Sequence, residues 1–123
     1  MQSQYLKIFT KLLCNGDKKI EELGSIAGFE KGDALGSSIS MALDGRRFIV
    51  GLPGRGASDG LQIGSALVCQ YDTGERRIEY SKEIFGGDQG EVVSDFGQSV
   101  AINLNGTLVI VASPSNGEIR SFR

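Results

Sequence analysis

Large apolar residues alternate one for one with small or polar ones along SISMAL (38–43) and again along SVAINL (99–104). Ile39, Met41 and Leu43 fall on one side of the first segment, and Ser38, Ser40 and Ala42 on the other. Val100, Ile102 and Leu104 repeat the pattern in the second. A period of two predicts strands that bury one face. Asp44-Gly45 and Asn105-Gly106 follow, and both dipeptides predict two-residue type I′ hairpin turns. The next runs, FIVGLP (48–53) and LVIVAS (108–113), are apolar on both faces and predict strands covered above and below. SALVCQYD (65–72) then turns at Thr73-Gly74 into RRIEYSKEI (76–84). Upstream lie QYLKIFTKLL (4–13), a turn at Asn15-Gly16 and KKIEELGSI (18–26), and EIRSF (118–122) comes last. The segment 4–13 also fits an amphipathic helix. The likeness of NGDKKIE (15–21) to TGERRIE (73–79) downstream of it favours a strand. The expectation is nine strands and no helix.

The strands recur as a repeat. LGSSISMALDGRRFIVGLPG (35–54) aligns without a gap on FGQSVAINLNGTLVIVASPS (96–115), 61 residues later. NGDKKIE and TGERRIE align 58 residues apart. A unit of about 60 residues, present roughly twice, predicts a repeat architecture. The units run over about 35–95 and 96–123, with a partial unit at 4–34.

Composition narrows the chemistry. With 123 residues, the chain fits one small domain. Eighteen glycines against two prolines, with no collagen-like period, fit many tight turns in an all-β chain. A net charge of −2 with scattered basic doublets gives no nucleic-acid footprint. The absence of histidine excludes Ser-His-Asp and Cys-His catalysis and His-ligated zinc. Cys14 and Cys69 lack metal-ligand spacing; a disulfide or two thiols are both compatible with the sequence. No apolar stretch is long enough for a membrane-spanning helix, and the start of the chain lacks a signal-peptide pattern. The compartment stays unassigned. The glycine-rich stretch GLPGRGASDG (51–60) lacks the Gly-Lys-Ser/Thr ending and following helix of a phosphate loop, so its glycines read as turn residues. Asn105-Gly106-Thr107 matches a glycosylation acceptor, but the hairpin turn explains the same three residues and is the favoured reading.

With these residues in place, DFGQSVAINLNGTLVIVASP (95–114) resembles the FG-GAP repeat of integrin α-subunit β-propellers and their relatives. The Phe-Gly opening is Phe96-Gly97, with Leu35-Gly36 in the other copy. The Gly-Ala-Pro closing is matched imperfectly by Ala112-Ser113-Pro114 and Gly51-Leu52-Pro53. The resemblance spans about Tyr5 to Phe122. It implies an all-β partial β-propeller of about two four-stranded antiparallel blades. Many such repeats carry a calcium loop in this hairpin, patterned like Asp-x-Asn-x-Asp-Gly-x-x-Asp. Calcium needs six or more oxygen ligands, and the hairpins at 43–46 and 104–107 are too short, with one acidic residue between them. Asp88, Glu91 and Asp95 are not at loop spacing either, so no calcium or other cofactor is expected.

Two blades cannot close a ring of four to eight. End faces of several hundred Å2 would then stay open, worth several kcal/mol of association at about 25 cal/mol per Å2. The expected resolutions are a longer propeller of which this chain is a piece, or self-association into a ring; a compact sandwich is less favoured. The resemblance implies a non-catalytic adhesion or protein-interaction scaffold with a protein partner. It implies neither nucleic acid nor membrane insertion in this segment. The alternatives are an accessory propeller segment of a larger hydrolytic enzyme and a truncated product without independent activity. The expected partner-contact residues are Arg55 and Asp59 on the glycine-rich loop, and Asp88 and Glu91 on the stretch 86–95.

Overall fold

Three antiparallel sheets, stacked face to face, make up the computed structural model, which describes residues 5–11, 20–29, 32–56, 63–72, 74–75, 77–86 and 95–123. The first is a pair, β1 (Tyr5–Lys11) and β2 (Ile20–Ala27). The second has four strands in sequence order: β3 (Ile39–Met41), β4 (Arg47–Leu52), β5 (Ser65–Asp72) and β6 (Arg77–Phe85). The third has β7 (Ser99–Ile102), β8 (Val109–Ser113) and β9 (Glu118–Phe122). A 3-10 turn, Pro114–Asn116, joins β8 to β9 and ends on Gly117 in the left-handed region. The chain is all-β, and the segment 4–13 is strand where it is described. Asn15-Gly16 and Cys14 lie outside the described residues. The sheets do not close on themselves.

The middle sheet is buried on both sides because β4 and β5 are apolar on both sides. Phe48, Val50, Leu52, Leu67, Cys69 and Ile78 pack towards the first sheet, with Ile26, Leu35 and Tyr71 around them. Ile49, Ala66 and Ile84 pack towards the third, against Phe96, Val109, Val111, Val100 and Ile102. β8 differs. Its Val109 and Val111 are buried, but Ile110 on the opposite face is 38% exposed, because no described sheet covers that side. The double coverage expected for 108–113 is therefore single.

The two alternating segments meet opposite fates. Val100 and Ile102 pack into the core between the second and third sheets. Their counterparts Ile39 and Met41 are 44% and 45% exposed, since the first sheet has strands only opposite the far half of the middle one. The other side of β3 is the one that docks: Ser38 Oγ donates to the Gly97 carbonyl at 3.1 Å, and Ser40 Oγ accepts the Ile102 amide at 3.1 Å. Leu43 and Leu104 do not belong to the strand faces at all. They sit in the hairpin turns, and Leu43 is 78% exposed.

Those turns are not type I′. Residues 43–46 form a four-residue loop closed by Ala42 N–H donating to the Arg47 carbonyl, with Gly45 N–H donating to Ala42. Only the glycine has positive φ (70°), and Gly106 matches it at 73°. Side chains decide the outcome. The Asp44 carboxylate accepts the amides of Arg46 (2.8 Å) and Arg47 (3.4 Å). Asn103 Oδ1 accepts those of Thr107 (2.8 Å) and Leu108 (2.9 Å). Such Asx-type bonds satisfy the backbone without a second positive φ. The Arg46 amide, foremost, also holds the Asp44 carboxyl below its ordinary range.

Two bulges recur at one repeat position. Cys69 pairs with Tyr80 and Val68 with Lys82, which leaves Ser81 as the extra residue; Phe9 pairs with Glu22 and Ile8 with Gly24, which leaves Leu23. An extra residue reverses which face the following side chains take. Ile78 therefore faces the first sheet and Ile84 the third, although both are even-numbered.

Backbone meets backbone where the second and third sheets join. A Cβ at Gly51 would lie 1.9 Å from the Gly97 carbonyl oxygen, and one at Gly97 would lie 2.2 Å from that of Ser65. A Cβ at Gly54 would meet the Gly32 carbonyl oxygen just as closely. This corrects the reading of the glycine-rich stretch. Gly51 lies within β4 and Gly54 in the turn after it, and both are required by close approach; Gly56, at φ 89°, is a turn glycine in the expected sense.

Candidate partner-contact surface

The strands β2, β4 and β6 all finish at one end of the stack, and their side chains meet there. Arg55 follows β4 in a turn that its own amide closes by donating to the Leu52 carbonyl at 3.1 Å. The Gly64 amide donates to the Arg55 carbonyl at 2.9 Å, and the Gly54 amide to that of Asp33 at 3.0 Å, so the loop is tied on both sides. From this base the Arg55 guanidinium reaches β6. Its Nε donates to Glu83 Oε2 at 3.1 Å, with side-chain exposures of 22% and 13%. The buried Ser65 hydroxyl donates to the same carboxylate oxygen at 2.6 Å.

Aromatic rings frame the guanidinium. Its Cζ lies 4.2 Å from the centre of the Phe29 ring and 5.8 Å from that of Phe85. Phe29 meets Tyr80 edge-on, with ring centres 5.9 Å apart. Phe29 is held in turn by Asp33, a buried residue whose Oδ2 accepts the Phe29 amide at 2.8 Å. All three rings remain exposed. The bulge at Ser81 assembles the group: without the extra residue, Tyr80 would point away from Glu83 and Phe85.

Ser65 is buried, its proton is directed at Glu83, and Glu83 is already paired with Arg55, so both groups are engaged within this cluster. Arginine held over aromatic rings at a partly desolvated surface is the composition of protein-binding hot spots. Of the residues expected at a contact loop, Arg55 lies in this group, while Asp59, Asp88 and Glu91 lie outside the described residues. Phe29, Asp33, Tyr80, Glu83 and Phe85 were not singled out by pattern. They come from β6 and from the segment after β2, and a clue was available only in the aromatic residues next to charged ones in EYSKEIF (79–85).

Acidic residues gather elsewhere. Asp72, Glu75 and Glu79 bring carboxylate oxygens within 4.8 Å of one another at the turn between β5 and β6. Arg77 is among them, 2.9 Å from Glu75 and 2.7 Å from Glu79, and Asp72 accepts the Gly74 and Glu75 amides. Asp95, at φ 59°, accepts the Ser115 hydroxyl at 2.8 Å. Cys69 is a buried thiol, and burial pushes its pKa up to about 12. No helix among the described residues is long and apolar enough to cross a membrane.

No protein-family model matches this chain, and no curated protein matches it significantly.

Proposed function

We propose that the chain is a non-catalytic protein-interaction module of propeller-type blades, of the FG-GAP kind that its repeated segments resemble. One observation carries the reading. The face of the middle sheet formed by Ile49 and Ala66 is fully buried against a neighbour, while its counterpart on the third sheet, with Ile110 and Ile119, is exposed. On the middle sheet, beside the part that the first sheet covers, Ile39 and Met41 present the apolar pattern that Val100 and Ile102 bury. The two open faces are therefore chemically the two halves of an interface already made inside the chain. A head-to-tail contact of that type builds rings or stacks. The aromatic group around Arg55 lies at the strand ends, where such an assembly would offer it to a protein partner.

Light scattering of the purified chain over a range of concentrations tests the reading. The expected result is a concentration-dependent rise in mass, abolished by Met41→Glu or Ile119→Lys with the strand signal in circular dichroism retained. A stable monomer at high concentration would refute it.

A further inference from the structure

The repeat makes Asn105 the counterpart of Asp44, and Asn103 that of Ala42. The two copies close their turns with different residues. In the first, the Asp44 carboxylate accepts the amides of Arg46 and Arg47. In the second, the equivalent amides of Thr107 and Leu108 go to Asn103 instead, and Gly106 supplies the positive φ. The Asn105 side chain is therefore released from the work that its counterpart does.

Among the described residues, that side chain makes one hydrogen bond. Its Oδ1 accepts the Thr107 hydroxyl at 2.7 Å, and the same hydroxyl accepts Asn103 Nδ2–H at 3.0 Å. Asn105 Nδ2 has no partner among the described residues, and Asn105 and Thr107 are both exposed at the turn. The hairpin thus accounts for Asn103 and Gly106 but not for the amide of Asn105. Asn105-Gly106-Thr107 is also the only Asn-x-Ser/Thr sequence in the 123 residues, the pattern that accepts an N-linked glycan.

We propose that Asn105 is an attachment site for an N-linked glycan. The donor is an oligosaccharide carried on a lipid pyrophosphate. Asn105 Nδ2 bonds to C1 of the first sugar as the bond from C1 to the pyrophosphate oxygen breaks. The pyrophosphate leaves with the bonding pair, and the amide gives one proton to a base of the transferase. The fold has room for the product. The Leu43 amide donates to the Leu104 carbonyl at 2.8 Å, so this turn stands beside the turn that leads into β4, whereas Arg55 follows the far end of β4. A glycan on Asn105 therefore leaves the stack at the end opposite the aromatic group around Arg55. The proposal does not rest on the interaction reading, and scattering mass does not test it.

Peptide mapping of the protein purified from its natural source is the test. Trypsin should release residues 83–120 as one peptide that carries a set of glycan masses. Peptide-N-glycosidase in heavy-oxygen water should collapse the set to a single mass, with Asn105 converted to labelled aspartate. An enzyme-free control corrects for spontaneous hydrolysis at Asn105-Gly106. In a eukaryotic secretory host, Thr107→Ser should keep the modification and Thr107→Ala should abolish it, with the strand signal in circular dichroism retained. The role of the side chain is tested on unmodified protein. Asn105→Gln should leave the urea midpoint unchanged, whereas Asn103→Ala should lower it. A natural protein whose Asn105 is wholly unmodified would overturn the proposal, as would modification that survives Thr107→Ala. A fall in midpoint for Asn105→Gln as large as for Asn103→Ala would return Asn105 to the turn and overturn it too.

Discussion

Replacing Gly51 by alanine isolates the contact between the second and third sheets. Gly51 does not have positive φ, so alanine fits its backbone. Taken alone, the change would stabilise by about 0.4–1 kcal/mol through the unfolded chain. The added methyl, however, would lie 1.9 Å from the Gly97 carbonyl oxygen and 2.5 Å from Ser38 Oγ. Ordinary contact needs about 3.5 Å, so the shortfall is about 1.5 Å. The serine can rotate away, but the carbonyl is held: the Gly97 amide is tied to the Ala112 carbonyl, and Gly97 already lies so close to Ser65 and the Leu52 amide of the middle sheet that not even a Cβ would fit there. Relief requires the sheets to separate, which loosens Phe96, Val109 and Val111 together. Overpacking of this kind costs about 1–3 kcal/mol and occasionally more, and the rigid partner places the expected net loss near 3 kcal/mol. For a domain of this size that lowers Tm by roughly 10 °C. Gly117→Ala is the control. It has positive φ (66°) but nothing within 4 Å of the added methyl, so about 1 kcal/mol of backbone strain is all it should show. Urea unfolding followed by far-ultraviolet circular dichroism measures both. If Gly51→Ala were no less stable than Gly117→Ala, the backbone-on-backbone junction would be wrong.

Deleting Ser81 should remove the bulge and turn Ile84 out of the core; a loss of about 3 kcal/mol or more in urea unfolding is expected, against under 1 kcal/mol for Ser81→Ala. Arg55→Ala leaves the Glu83 carboxylate with only Ser65, and about 1–3 kcal/mol of stability should be lost, while Glu83→Gln should cost less, as thermal melts can compare. In a Cys14→Ser background, Cys69 should resist an aromatic disulfide reagent at neutral pH until denaturant is added, because the thiol is buried. Its raised pKa also gives a signed pH effect. The folded state favours the protonated thiol, so this contribution is fully present below the ordinary 9.0 and fades as pH rises towards about 12; the fall in urea midpoint above pH 9 should be smaller in Cys69→Ala.

Much of the local structure was written in the order of residues. Alternation in 38–43 and 99–104, continuous apolarity in 48–53, and glycines after Asp44 and Asn105 locate the strands and the turns between them, though not the turn type or the strand ends at Leu43 and Leu104, because strand side chains alternate by geometry and glycine relieves positive φ wherever it occurs. The repeat likewise marks which residues are counterparts. What the residues could not state is which neighbour each face meets. Ile39 with Met41 and Val100 with Ile102 share one pattern, yet only the second pair is covered, since coverage depends on a sheet distant in sequence. The bulge at Ser81 was equally invisible, because an extra residue is defined only against its partner strand, and with it went the grouping of Tyr80, Glu83 and Phe85 around Arg55. Gly51 shows the division most plainly. Its freedom from a side chain is a property of the sequence, but whether that freedom serves a turn or the approach of another backbone is decided by what lies across the sheet interface.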